Sequence, residues 1–177
     1  MDNQLPFLFH LSGGNENQLI DIFEDIKDGD YVISSHRNHY HALLHGFDRQ
    51  RLMDDIVEGR SMATSDNVHK FYSSAIVGGV IPIALGAAMA IKRKKSIRKV
   101  WCFVGDMTFE TGVFHESYKY ARNFDLPIEF VIEDNNLSVH TPTDAAWGKH
   151  QDVPDDVVYY KFENEYPHHG TGAWVNF

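Results

Sequence analysis

Two short polar stretches, Gly105-Asp106 and Glu133-Asp134-Asn135-Asn136, each close an apolar run, and their oxygen atoms are where chemistry is first expected in this sequence. Asp106 offers a carboxylate. Asn135, twenty-nine positions later, offers a side-chain carbonyl, and the backbone carbonyl of Leu137 adds a third oxygen. A set of hard oxygen donors suits Mg²⁺, which takes octahedral oxygen ligands and completes its shell from water and phosphates. A diphosphate would supply the rest. Taken singly, Asp106 reads as a helix cap and Asn135-Asn136 as a turn. Their paired placement at two strand ends favours the metal. A second stretch, His36-Arg37-Asn38-His39-Tyr40-His41, is rich in donors and follows a strand directly. Such a turn suits an anion, since an arginine fork grips phosphate through two parallel hydrogen bonds and histidine titrates near neutral pH. Arg37 and His39 are its candidates, whereas His41 and His45, on a presumptive helix, read as solvated or hydrogen-bonded surface imidazoles.

The elements that must position these groups are legible in the pattern. Residues 100–104 form a continuous apolar run, the mark of a parallel strand buried on both faces. Phe114, Tyr118, Ala121 and Phe124 recur at helical spacing until Leu126-Pro127, and residues 128–132 form a second buried strand. Two neighbouring parallel strands put Asp106 and Asn135 at their carboxyl ends, where open α/β sheets bind ligands. Upstream, Asn15 is expected to cap a helix with Leu19, Ile20 and Phe23 inward, and Tyr31-Val32-Ile33 is the first clear strand. Residues 49–57 read as an amphipathic helix with Leu52, Met53 and Ile56 inward. Residues 59–74 have no strong period and read as a loop. Residues 75–79 open a small-sided helix that tolerates Pro82 in its first turn, and residues 157–162 are the last strand candidate. The expected fold is one α/β domain over residues 1–177, a mainly parallel sheet with helices on both faces.

Composition narrows the function classes. A net charge of −9 and a pI near 5.6 argue against nucleic acid or an anionic membrane as partner. The cluster Lys92-Arg93-Lys94-Lys95, with Arg98 and Lys99, reads as a solvated helix terminus whose cations favour the dipole. The single cysteine, Cys102, rules out an internal disulfide and fits a reducing, cytoplasmic compartment. Neither a signal peptide nor a membrane span is expected.

Gly105-Asp106, a helix, and Asn135 after a second strand resemble the thiamine diphosphate motif, Gly-Asp-Gly followed by Asn after a spacer of about thirty residues. One residue departs from it. Met107 stands where the motif has glycine, and methionine would be costly if the backbone there took positive φ. Residues 133–139 are similar to the metal turn of transketolase. Residues 29–46 resemble the alpha subunit of the decarboxylating component of 2-oxo acid dehydrogenase complexes, and the likeness runs from Phe9 to about Thr141.

The resemblance implies a thiamine diphosphate-binding fold, with thiamine diphosphate and Mg²⁺ as cofactors. It places Asp106, Asn135 and Leu137 at the metal, and Gly105, His36 and Arg37 with them at the diphosphate. It puts His39 beside the thiazolium as the catalytic residue, and backbone groups of Ala75 and Val77 at the aminopyrimidine. His169-Gly170 is a weaker match to a phosphate-facing His-Gly turn. In this superfamily the activating glutamate comes from a pyrimidine-binding domain, and Glu110 and Glu116 lie on the wrong side to replace it. The implied arrangement is half a site, completed by a beta-like subunit in a heterotetramer. Its apolar face is expected to include residues 82–91 and Phe71-Tyr72. The implied reaction is decarboxylation of a 2-oxo acid with transfer of the acyl or aldehyde unit. Half of a split transketolase, or a non-catalytic scaffold that keeps the fold, are the readings left open.

Overall fold

In the computed structural model, which describes residues 10–149, 151–166 and 168, the apolar runs become strands of one sheet and the amphipathic stretches become its covering helices. The first half of the chain contains α1 (Glu16–Asp25), β1 (Tyr31–Ser34), α2 (His39–Leu44), α3 (Arg49–Val57), β2 (Ser65–Asp66) and β3 (Phe71–Ser73). Then follow α4 (Val80–Arg93), β4 (Val100–Gly105), α5 (Asp106–Phe109), α6 (Gly112–Asn123) and β5 (Ile128–Asp134). A small hairpin, β6 (Leu137–Ser138) and β7 (Thr141–Pro142), leads to α7 (Thr143–Trp147) and β8 (Val158–Lys161).

The main sheet has the order β2-β3-β1-β4-β5-β8, parallel throughout except for β2 at one edge. As the apolar runs predict, β4 and β5 are neighbouring parallel strands, in register from Val100 opposite Ile128 to Gly105 opposite Glu133. Side chains alternate between two cores. Val100, Cys102, Val104, Ile128, Phe130 and Ile132 face α4 and α6. Val32, Trp101, Phe103 and Val131 face Leu19 of α1, Ala42 of α2 and Leu52 of α3. A strand buried on both sides needs apolar residues at every position, which is why these runs are unbroken.

The structure corrects several expectations. The stretch 59–74 is not simply a loop. It carries a 3-10 turn, Ser61–Ala63, and the strands β2 and β3. Phe71–Ser73 is too short and too polar in its setting to show a period, and it becomes a strand by pairing with β1, Val32 opposite Phe71. Phe71 is therefore buried rather than part of an exposed face, while Tyr72 on the other side stays open. Met53 and Ile20, expected inward, are half exposed. Pro82 is the third residue of α4, where its missing N–H has no helical acceptor to leave unmatched. Met107 meets no backbone cost, because it lies inside α5 and is absent from the non-glycine residues with positive φ.

Candidate functional site

The chain leaves β1 towards α2 and α3 on one face of the sheet and leaves β4 towards α5 and α6 on the other. Between the two strands the connections diverge, and this opens the crevice in which such sheets hold ligands. A cavity of about 140 Å³ lies there, lined by His36 and Arg37 after β1, Val77 before α4, Gly105 at the end of β4 with Asp106 next to it, and Asn135 and Leu137 after β5. Seven of the predicted residues thus converge from four segments. Ala75 is exposed and does not line the cavity, although Ile76 and Val77 do. Nor does His39, which is buried at the head of α2. His169-Gly170 lies outside the described residues.

Asp106 is 3% exposed, and its Oδ2 accepts a 2.5 Å hydrogen bond from Thr143 Oγ1. Burial raises its pKa, the Thr143 bond opposes the shift, and the charge of Asp134 adds to it. The turn after β5 is held to the same threonine, since Thr143 N donates to the Asn136 carbonyl. Asn135 Oδ1 accepts from Leu137 N at 3.2 Å, and Asn136 Oδ1 accepts from Asp144 N at 3.2 Å. Asn136 and Val139 take φ of 52° and 58°. Asparagine tolerates that region; a β-branched valine does so only under constraint, and constrained backbone of this kind clusters at functional sites. Among the described residues no three His, Cys, Asp or Glu side chains could by themselves hold a metal, so a cation here would depend on amide, carbonyl and ligand oxygens.

The opposite wall is cationic. Arg37 Nη1 donates to the Leu11 carbonyl at 2.8 Å, and its Nη2 lies 3.3 Å from His168 Nδ1. His10 packs edge-on against His36 and at a tilt against His168, with ring centroids 4.5 and 4.4 Å apart. Burial, then the charges of Arg37 and His168, lower the His36 pKa to about 4. Burial, then His41 and Arg37, bring His39 to about 4 as well. The Nε2 of His39 is buried and has no hydrogen-bond partner among the described residues.

Sequence reasoning missed the polar cluster behind this cavity. Glu133 Oε1 accepts from Asn15 Nδ2 at 3.1 Å and from Tyr160 OH at 2.5 Å, and lies 3.1 Å from His41 Nε2. His41 is therefore not a surface imidazole; it is 1% exposed and paired. Asn15 precedes α1 but makes no capping bond, because its amide serves Glu133 and Tyr160 instead. The available signal was Glu133 itself, a charge at the end of a run buried on both faces, where an unpaired carboxylate is too costly to persist.

Comparison with known proteins follows the same stretch of chain. The family described as "Dehydrogenase E1 component" matches residues 3–155. The chain is 32% identical over 152 residues to the alpha subunit of acetoin:2,6-dichlorophenolindophenol oxidoreductase of Bacillus subtilis, covering 80% of this chain and 46% of that protein. It is 31% identical over 142 residues to the alpha subunit of the pyruvate dehydrogenase E1 component of Rickettsia prowazekii, covering 75% and 44%. It thus spans about half the length of the curated relatives it matches. A solved structure described as a thiamin diphosphate-dependent enzyme from Mycobacterium smegmatis aligns at 17% identity with a TM-score of 0.48, covering 72% of this chain and 23% of that one.

Proposed function

This chain belongs to the dehydrogenase E1 component family, and from that premise we propose that it forms the diphosphate- and Mg²⁺-binding side of a thiamine diphosphate enzyme acting on 2-oxo acids. One observation carries the reading: a buried carboxylate, Asp106, an amide, Asn135, and a guanidinium, Arg37, meet in a single cavity at the divergence point of the sheet. The donors fit the group. A cation beside Asp106 would offset the cost that burial and Asp134 impose on its ionised form. Thr143 restrains the rotation of that carboxylate, and the Leu137 N bond restrains Asn135.

Bound thiamine diphosphate would supply the electron sink for cleaving the bond beside the substrate carbonyl. The chain's own residues bind and orient. Asp106, Asn135 and the carbonyl of Leu137 would hold Mg²⁺, while His36, Arg37 and the Gly105 backbone would hold the diphosphate. Ile76 and Val77 give the cavity an apolar side. A role for His39 at the reacting ring requires that its buried Nε2 be met by a group from outside this chain.

The activating glutamate is proposed to come from a beta-like subunit, two copies of each chain forming the assembly. Ile76 and Val77, which line the cavity, are 72% and 63% exposed, Ile83 on α4 is 44% exposed, and exposed apolar clusters mark interfaces. Gly86, on the same helix as Ile83, would meet nothing within 4 Å even with a Cβ added. The acetoin relatives make acetoin a second substrate to test.

Calorimetry with thiamine diphosphate, with and without Mg²⁺, tests the cofactor reading. Mg²⁺-dependent binding is expected, and Asp106→Ala should abolish it with the fold intact, because Asp106 is the one charged member of the proposed ligand set. Unchanged affinity in that variant removes Asp106 from the site. Turnover of 2-oxo acids, acetoin or ketose phosphates should appear only with the partner subunit. Full turnover by the isolated chain refutes the half-site argument.

A further inference from the structure

At the other end of the strands a second cleft, of about 370 Å³, is walled by residues that precede β1, β3 and β4. Lys27 and Gly29 lead into β1, His69 and Lys70 into β3, and Arg98 into β4. The six residues of β4 put it about 20 Å from the Asp106 crevice at ~3.3 Å per residue. Lys70 Nζ donates to the Gly29 carbonyl at 3.0 Å, and Arg98 Nη1 donates to the Asp28 carbonyl. Gly29 makes room for both: a Cβ there would lie 3.0 Å from Arg98 Cζ and 3.2 Å from Lys70 Nζ. Two cations are thus held around one point of backbone.

Carboxylates do not neutralise them. Among the described residues neither Lys70 nor Arg98 has a carboxylate within 4.0 Å. Asp30, close by and buried, accepts from Lys27 N, Lys99 N and Trp101 Nε1. Asp66 is paired with His69 at 2.8 Å. Lys27, Lys70 and Arg98 therefore share the cleft with a single acidic side chain, Asp28, in a protein of net charge −9. Like charges gathered this way repel unless an anion joins them. Lys70 also holds φ of 58°, a conformation that persists in non-glycine residues where the surroundings demand it, ligand clamps among them. Phe23, Leu44 and Val68 give the cleft an apolar side.

We propose that this cleft binds a phosphorylated small molecule, with its phosphate between Lys70 and Arg98 and its apolar body against Phe23, Leu44 and Val68. An arginine fork and an ammonium point charge together match a phosphate dianion better than a monocarboxylate. The test is an amide-resolved NMR titration of the full chain with phenyl phosphate, and with inorganic phosphate to read what the apolar body adds. Saturable shifts are expected at Gly29, Gly46, His69 and Lys70, with phenyl phosphate the tighter ligand. Arg98→Gln should weaken binding at least tenfold, whereas Arg37→Gln, in the other site, should not. Lys70→Gly relieves the backbone and so should remain folded while losing affinity by a similar factor, which keeps the test decisive if Arg98→Gln does not fold. Shifts confined to Gly105, Asp106 and Asn135, no saturable shift at the second cleft, or equal affinity in Lys70→Gly overturn the proposal. Because the cleft is separate from the crevice, either result leaves the cofactor reading to its own calorimetric test.

Discussion

Acid should destabilise this protein through His39. Its folded pKa, about 4, is depressed below the ordinary 6.5 because the imidazole is 6% exposed and faces His41 and Arg37. Between those values the unfolded chain binds more protons than the folded one, so stability falls as pH falls through this window and is fully present above it. With about 1.36 kcal/mol per pKa unit, the whole shift amounts to roughly 3 kcal/mol, of which about 2 kcal/mol is already lost at pH 5. His36 acts in the same direction but is less deeply buried, so solvent reduces its share. Urea unfolding at pH 7.5 and 5.0, for the natural chain and His39→Gln, reads the effect because titrating groups that do not interact with His39 cancel between them. The natural chain should lose about 2 kcal/mol more than the variant. Parallel losses in the two proteins, or an imidazole NMR midpoint near the ordinary histidine value, would refute the argument from burial.

Replacing Glu133 by Ala removes the acceptor shared by Asn15, His41 and Tyr160, and should cost about 3–5 kcal/mol in chemical denaturation. Glu133→Gln, which keeps one oxygen, should cost less, and a loss under about 1 kcal/mol for the alanine variant would mean that water replaces the carboxylate. Val139→Gly should raise stability by about 1 kcal/mol, because relief of its left-handed φ outweighs the added freedom of the unfolded glycine; a lower melting temperature would contradict the strain. Met107→Gly should lower stability by about 1 kcal/mol through helix propensity and leave cofactor affinity no higher, whereas a gain in affinity would show that the turn opens towards positive φ on binding.

Local pattern was enough for the strands that carry the site. A run such as Val100 to Val104 is tolerated only where both faces are covered, so its composition reveals burial, parallel pairing and, at its end, the position of Asp106. The same logic placed Asn135 after β5 and Arg37 after β1, because a polar turn closing a buried strand is a local signal. Phe71–Ser73 had no such signal: three residues cannot display a period, and their strand exists because β1 lies alongside with free hydrogen-bonding groups. His41 is set apart from an exposed histidine by Phe103 and Glu133, the latter ninety-two positions away, and Asn15 gives up a cap for contacts with Glu133 and Tyr160, still farther along the chain. Met107 could be judged only once the turn after β4 was seen to continue as a helix. Element type and strand ends follow from neighbours a few residues apart, whereas the partner of a buried polar group is set by which strands the sheet brings together, and that was decided by the tertiary structure alone.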